Sequence, residues 1–218
     1  MIFHIETRHP VAVDSNDHLY PRGTRTDNHA NPKFNLKLTE LIPNKPLWLM
    51  DLGCAGGAMV KSFVDGGNIA VGIEGSDYSL KARRAAWASI PGNLFTADAT
   101  KPFTVHMGDG QPVQFHAITA WEFFEHIKEQ DLPGVMDNIC RHLAPGGWLI
   151  GTIANQQVRF NPDLSTKIVY HHTIKTAGWW TGFFRGYGFV ERAGMVEYFS
   201  GAWVRSGPTK IVLQKGKA

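Results

Sequence analysis

The chain has 218 residues, enough for one domain with a substantial core. Its 22 lysines and arginines exceed its 19 aspartates and glutamates by +3, and their dispersal leaves no clear nucleic-acid surface. Two cysteines, Cys54 and Cys140, are too few for a disulfide scaffold and fit a reducing compartment. The start, Met1 to Glu6, lacks the basic region and apolar core of a signal peptide, and no apolar stretch approaches membrane-spanning length, so a cytoplasmic protein with no membrane partner is expected.

The chain reads as a single domain, with residues 1–46 forming an N-terminal arm or lid and residues 47–218 an α/β core. Between Asp14 and Asn35 the sequence is polar, rich in His, Arg, Asn and Asp, with no helical or strand period. Aperiodic segments longer than about 12–15 residues are usually functional lids or disordered. This one is expected to cross the mouth of a ligand site, with Tyr20, Arg22 and Arg25 facing inward.

The apolar run from Leu47 to Met50 suits a parallel strand covered on both faces, and Asp51 then stands at its carboxyl end, where open α/β sheets place their ligands. Gly53, Gly56 and Gly57 allow a tight turn and close approach of a ligand. A helix over residues 58–64 follows. The spacing departs from the G-x-G-x-x-G of dinucleotide sites, and Asp51 would repel a pyrophosphate, so the loop suits a ligand bearing an amino group and a positive centre.

Further apolar runs over 69–74, 93–99, 115–120 and 148–153 are strands, with a helix carrying Cys140 before the last of these. An irregular loop over 154–173, a helix over 174–185 and strands over 188–192 and 209–214 complete the pattern. Such alternation implies a mainly parallel sheet covered by helices on both faces. Trp179, Trp180, Phe183 and Phe184 lie at helical spacing, which points to core packing.

The string Asp51-Leu-Gly-Cys-Ala-Gly-Gly57 resembles motif I of the class I S-adenosylmethionine methyltransferases, with Ala55 where the family usually has glycine. Glu74, closing the second strand, Asp98-Ala99 after the third, Glu122 to His126 after the fourth, and Pro145-Gly-Gly147 before the fifth continue the resemblance in order. It implies a Rossmann-like, seven-stranded, mostly parallel sheet ending in an antiparallel C-terminal β-hairpin, with strand seven between five and six. It also implies S-adenosylmethionine as cofactor. Asp51, Gly53, Ala55 and Gly57 would cradle the methionine part, Glu74 the ribose hydroxyls, and Asp98 and the Ala99 amide the adenine, with Trp121 closing over the cofactor.

Methyl transfer from a sulfonium is an in-line displacement that depends on alignment, and a hydroxyl acceptor must also lose its proton. His126 is the expected general base and His172 the second choice. In a helical turn over 122–126, Glu122 and His126 would share a face at i and i+4, so that Glu122 could orient the ring. Residues 171–184 and 11–21 resemble bacterial methyltransferases found with sugar- and glycan-processing enzymes, which implies a carbohydrate hydroxyl or another small-molecule acceptor.

Three other readings use the same residues. The small-RNA 2′-O-methyltransferases carry E-x-x-E-H here and bind a divalent metal, a set that Glu122, Glu125, His126 and His171 or His172 could reproduce. RNA binding requires clustered positive charge that this chain lacks, so no resident metal is expected. A non-catalytic S-adenosylmethionine-binding module would keep the cradle without acceptor chemistry. A nicotinamide-dependent oxidoreductase would share the fold and Glu74, but not this glycine spacing.

Overall fold

The computed structural model describes residues 2–108, 110–157, 168–203 and 209–216, together with the backbone of 159–160. Strand β1 (Phe3–Thr7) is followed by the short helices α1 (Asn16–Leu19) and α2 (Arg22–Thr26) and by α3 (Pro32–Leu41). The stretch that shows no period in the sequence is thus partly helical. Its helices are set by local chemistry rather than by an apolar stripe. Ser15 accepts the Asp17 N–H to cap α1, and Asn31 accepts the Phe34 N–H to cap α3, whose first turn opens with Pro32.

The core then alternates: β2 (Trp48–Leu52), α4 (Ala58–Asp65), β3 (Ile69–Glu74), α5 (Tyr78–Lys81), β4 (Leu94–Thr96), β5 (Phe103–Met107), β6 (Phe115–Trp121), α6 (Leu132–His142) and β7 (Leu143–Ile153). The two-residue strands β8 (Arg159–Phe160) and β9 (Ile168–Val169) come next. Helix α7 (Ala177–Arg185), β10 (Phe189–Glu191), α8 (Met195–Tyr198) and β11 (Thr209–Lys215) complete the described elements.

Seven strands form the main sheet in the order β4-β3-β2-β6-β7-β11-β10. The pairs from β4 to β7 are parallel, whereas β11 runs antiparallel to both β7 and β10. The last described strand therefore inserts between the fifth and sixth strands of this sheet, as the resemblance implies. Strand β7 begins earlier than the apolar run suggests. Leu143 pairs with Phe115, and the register then shifts so that Trp148 meets Ala117. The Pro-Gly-Gly turn is absorbed as a bulge inside the strand, with Gly146 at φ +73°.

Strands β1 and β5 form a separate antiparallel ribbon that the sequence does not announce. It is fastened to α6 by His142, whose ring is buried. His142 Nε2 accepts the Val105 N–H at 3.0 Å while Nδ1 faces the Asn138 carbonyl at 2.8 Å. Burial lowers the pKa of His142 to about 4, so the ring stays neutral and serves as a structural hydrogen-bonding group.

Strand alternation divides the apolar residues between two cores. Met50, Leu52, Val71, Ile73, Ile118 and Ala120 face α6 and α7, while Leu49, Ala70, Ala117 and Ile150 face α3 and α4. On α7, Trp180 and Phe184 are fully buried. Trp179 and Phe183 remain partly exposed and stack on each other with centroids 5.4 Å apart. No described helix is long and apolar enough to cross a membrane.

Candidate functional site

The carboxyl ends of β2, β3 and β6 and the segment after β4 converge at one edge of the sheet. Asp51 lies near the end of β2 on the face shared with Thr119 of β6, and the Thr119 hydroxyl donates to Asp51 Oδ1 at 2.6 Å. Burial raises the Asp51 carboxyl to about 7 against the pull of the Thr119 hydrogen bond, and the nearby charges of Asp27 and Glu74 raise it further.

The loop after β2 turns through left-handed residues, Gly53 at φ +73° and Gly57 at φ +79°. Gly57 opens α4, and a Cβ there would stand 2.6 Å from Leu94 Cδ1, so the position needs glycine on two counts. Ala55 is also left-handed, at φ +46°. That backbone explains why glycine is usual at this place, and its amide donates to Glu74 Oε2 at 2.8 Å.

Glu74 closes β3 and is buried. Its Oε1 accepts the Ser76 N–H at 3.1 Å and the Thr24 hydroxyl at 3.4 Å. Burial raises its pKa, and the amide donors of Ser76 and Ala55 hold it back. Asp98 follows β4, half-buried, with Oδ1 accepting both the amide (2.9 Å) and the hydroxyl (2.6 Å) of Thr100. Its own N–H donates to the His9 carbonyl at 2.9 Å. Ala99 is buried beside it, with its carbonyl taken by the Asn138 side-chain amide at 2.9 Å. Asp51, Glu74, Asp98 and the glycine loop thus share one edge of the sheet.

The turn after β6 differs from the helical turn expected from the sequence. Glu122 is left-handed at φ +50°, and only Phe124–His126 form a 3-10 turn. A left-handed residue cannot continue a right-handed helix, so Glu122 and His126 do not share a helical face. The group hydrogen-bonded to the His126 ring is instead Asp17 of α1, whose Oδ2 lies 2.8 Å from His126 Nδ1. Burial alone would lower the His126 pKa. The hydrogen bond and charge of Asp17, with the charges of Glu125 and Glu122, raise it above the usual value.

Glu125 is fully buried, 0% exposed, with Oε1 accepting the Ala154 N–H at 3.0 Å and Oε2 without a hydrogen-bond partner. Burial raises its pKa to about 7, against the positive influence of His126. The edge of the His171 ring meets His126 with centroids 4.8 Å apart, and its Nδ1 faces the Gln156 carbonyl at 2.5 Å. His172 does not join this cluster. Its side chain is exposed, and its backbone N–H donates to the Glu125 carbonyl at 2.7 Å. Glu125, His126 and His171 each offer one ligand atom, all within 4.8 Å of one another, which is close to the span a divalent ion bridges.

Trp121 lies against the α3 side, its ring 4.8 Å from Phe34 and 6.4 Å from Trp203. The side chain over the glycine loop is Phe123, whose Cδ2 is 3.0 Å from where a Cβ on Gly53 would stand. Sequence reasoning missed Phe123 and Asp17. The strand-end position of Phe123 was a usable signal, whereas nothing local to Asp17 links it to His126, 109 residues away.

The N-terminal segment roofs this edge. The Ala12 N–H donates to the Gly75 carbonyl at 2.9 Å, Thr24 reaches Glu74, and the Asp27 carbonyl accepts from the Gly56 N–H (3.2 Å) and Arg84 (2.7 Å). Tyr20, Arg22 and Arg25, expected to face inward, are exposed. The inward contacts are made instead by the Ala12 and Asp27 backbone, the Thr24 hydroxyl and the Asp17 carboxylate. Part of the 154–173 loop lies outside the described residues.

Residues 27–202 match the family described as "Methyltransferase domain". A ubiquinone biosynthesis O-methyltransferase from Paraburkholderia phytofirmans is 24% identical over 134 residues, covering 56% of this chain and 55% of that protein. The chain spans about half the length of the curated relatives it matches. Among solved structures, the amino pentose methyltransferase CalS10 of Micromonospora echinaspora aligns with a TM-score of 0.60 at 16% identity, covering 91% of this chain and 97% of that one. The glycopeptide N-methyltransferase MtfA, complexed with sinefungin, aligns with a TM-score of 0.54 at 15% identity, covering 87% and 95%.

Proposed function

The chain belongs to the methyltransferase domain family, whose methyl donor is S-adenosylmethionine, and on that premise we propose that it methylates a hydroxyl oxygen of a sugar or another small metabolite. The observation that carries the acceptor chemistry is the Glu125, His126 and His171 cluster, placed where β6 ends beside the glycine loop. A hydroxyl nucleophile must shed a proton as it attacks the methyl carbon. His126 takes it, since its Nδ1 is already bonded to Asp17 and leaves Nε2 to act as base. The electron pair of the breaking carbon–sulfur bond stays on sulfur, which leaves as the neutral thioether S-adenosylhomocysteine.

On the donor side, Asp51 pairs with the ammonium of the methionine part, and the left-handed loop through Gly53, Ala55 and Gly57 lets that part lie against backbone. Glu74 accepts hydrogen bonds from the ribose hydroxyls, and Asp98 with the Ala99 amide meets the adenine. Phe123, in the place expected of Trp121, covers the sulfur end. The N-terminal segment excludes water above the reacting atoms. The sugar acceptor draws support from the likeness to CalS10, and oxygen as the methylated atom from the curated O-methyltransferases.

The test is to incubate the protein with S-adenosylmethionine and a panel of deoxy-, amino- and hydroxy-sugars and phenols, and to follow S-adenosylhomocysteine release. Methoxy signals in the NMR spectrum of a sugar product support the reading, and N-methyl products from amino-sugars refute the choice of oxygen. The assay is run with and without a chelator. Turnover that survives chelation assigns the proton to His126, whereas loss restored by a divalent cation assigns it to a metal-bound acceptor.

A further inference from the structure

The N-terminal segment touches both ends of the site, and at the acceptor end it does so with one charged side chain. Helix α1 is fixed in place by three contacts. Ser15 caps it, the Asn16 side-chain amide donates to the Val169 carbonyl at 2.7 Å, and the Tyr170 hydroxyl donates to the Tyr20 carbonyl at 2.8 Å. Asp17, its second residue, is thereby held 2.8 Å from His126 Nδ1, with both side chains only 23% exposed. At the donor end the same segment places Thr24 on Glu74 and Ala12 on Gly75.

We propose that Asp17 is the positioning residue of His126: it holds the ring as the Nδ1–H tautomer with the Nε2 lone pair free, and so makes proton acceptance depend on seating of the segment from Ala12 to Asp27. The proposal rests on the assignment of the proton to His126 made above.

The argument is one of donors and acceptors. A neutral imidazole carries one N–H, and a carboxylate can only accept, so a carboxylate at Nδ1 selects the Nδ1–H form. Free histidine in water favours the opposite, Nε2–H form, which would present a donor where a base is needed. The other groups facing the ring are Glu125 and Glu122 from its own turn and His171 from the segment after β9. His171 is committed to the Gln156 carbonyl through Nδ1, and Glu125 Oε1 to the Ala154 amide. Asp17 alone of these comes from the N-terminal segment, so lifting that segment removes the tautomer-selecting acceptor together with the roof. Thr24 on Glu74 makes the same movement sensitive to the donor end.

The experiment records imidazole nitrogen spectra of the 15N-labelled protein with a chelator present, at about pH 9, well above the ordinary imidazole pKa. His126→Gln identifies the signal. The wild type should show the Nδ1–H form. Asp17→Ala should move His126 toward Nε2–H and cut turnover at least tenfold while leaving S-adenosylmethionine affinity within twofold. Asp17→Asn, whose amide oxygen still accepts from Nδ1–H, should keep the tautomer and recover part of that turnover. Asn16→Ala, which loosens α1 without touching the ring, should shift the tautomer in the same direction by less. An Asp17→Ala protein that keeps the Nδ1–H form, or keeps full turnover, overturns the proposal. A His126→Gln protein with full turnover shows instead that the base was wrongly assigned, and takes the positioning role with it.

Discussion

The Thr119 hydroxyl and the Asp51 carboxylate lie 2.6 Å apart on adjacent parallel strands, at the end of the sheet where the glycine loop begins, and the fold buries both almost completely. Strand pairing puts Thr119 directly opposite Asp51, so the contact follows from register. A single hydroxyl does not offset the loss of water around an ionised carboxylate. On the proposed reading, the remaining partner is the ammonium of S-adenosylmethionine.

Asp51→Asn should therefore separate stability from binding. In the free protein the Asp51 carboxyl titrates near 7 rather than 3.8, so between those values the folded state binds more protons than the unfolded one. Stability from this group then falls as pH rises through the window, by about 4 kcal/mol in full, and Glu125, raised to about 7, acts in the same direction. Thermal melts at pH 8 should show Asp51→Asn melting above the wild type while binding S-adenosylmethionine at least tenfold more weakly. A melting point lowered at pH 8 as much as at pH 5 would contradict the burial argument.

The ligand should restore what burial costs. Asp51 must be ionised to pair with an ammonium, so S-adenosylmethionine affinity should weaken as pH falls below about 7, and binding at pH 6 should release a proton. Titrations in buffers of different ionisation enthalpy measure that proton directly. Uptake instead of release would mean that another group dominates.

Glu74→Gln removes a charge that organises three donors, Ala55, Ser76 and Thr24. Charge-assisted hydrogen bonds contribute about 1.5–3 kcal/mol each, so the affinity for S-adenosylmethionine should drop about 10- to 100-fold. The ribose assignment predicts a smaller loss for 2′-deoxy and 3′-deoxy analogues in this variant than in the wild type. Equal losses would remove Glu74 from the ribose.

Proton removal by His126 predicts a pH–rate profile that rises through a pKa above 6.5, because the base works in its neutral form while Asp17 and its neighbours favour the charged one. His126→Gln should abolish that limb and lower turnover about 10²- to 10⁴-fold with S-adenosylmethionine affinity unchanged. A profile that is flat between pH 6 and 9 in the wild type would point to another base.

The loop geometry gives a prediction about stability alone. Ala55 sits at φ +46°, where a Cβ costs roughly 1–2 kcal/mol and glycine avoids that strain. Ala55→Gly should be neutral or stabilising by up to about 1 kcal/mol once the greater freedom of unfolded glycine is counted. Gly57→Ala should be clearly destabilising, because it adds left-handed strain to a clash with Leu94. Urea unfolding of the two variants should give opposite signs or at least this ranking.

The parallel half of the sheet was legible because its strands are covered on both faces and so read as apolar runs, two of them with an acid at or next to the carboxyl end, Asp51 and Glu74. The ribbon of Phe3–Thr7 with Phe103–Met107 was not, since its partners lie about 100 residues apart and are only half covered. The turn at Glu122 misled because spacing of i and i+4 implies a shared face only when the backbone is helical, and one left-handed residue breaks it. Asp17 was invisible for a different reason. A short helix capped by Ser15 has no apolar stripe to betray it, and its function depends on a contact the chain makes only when folded.

The most direct test of the central claim is calorimetric titration of the protein with S-adenosylmethionine, with NAD as the control ligand. Micromolar binding of S-adenosylmethionine, weakened in Glu74→Ala and Asp51→Asn and absent for NAD, is the expected result. Failure to bind S-adenosylmethionine, or binding of NAD in its place, would contradict the assignment of the glycine loop and the edge beside it as a methyl-donor site.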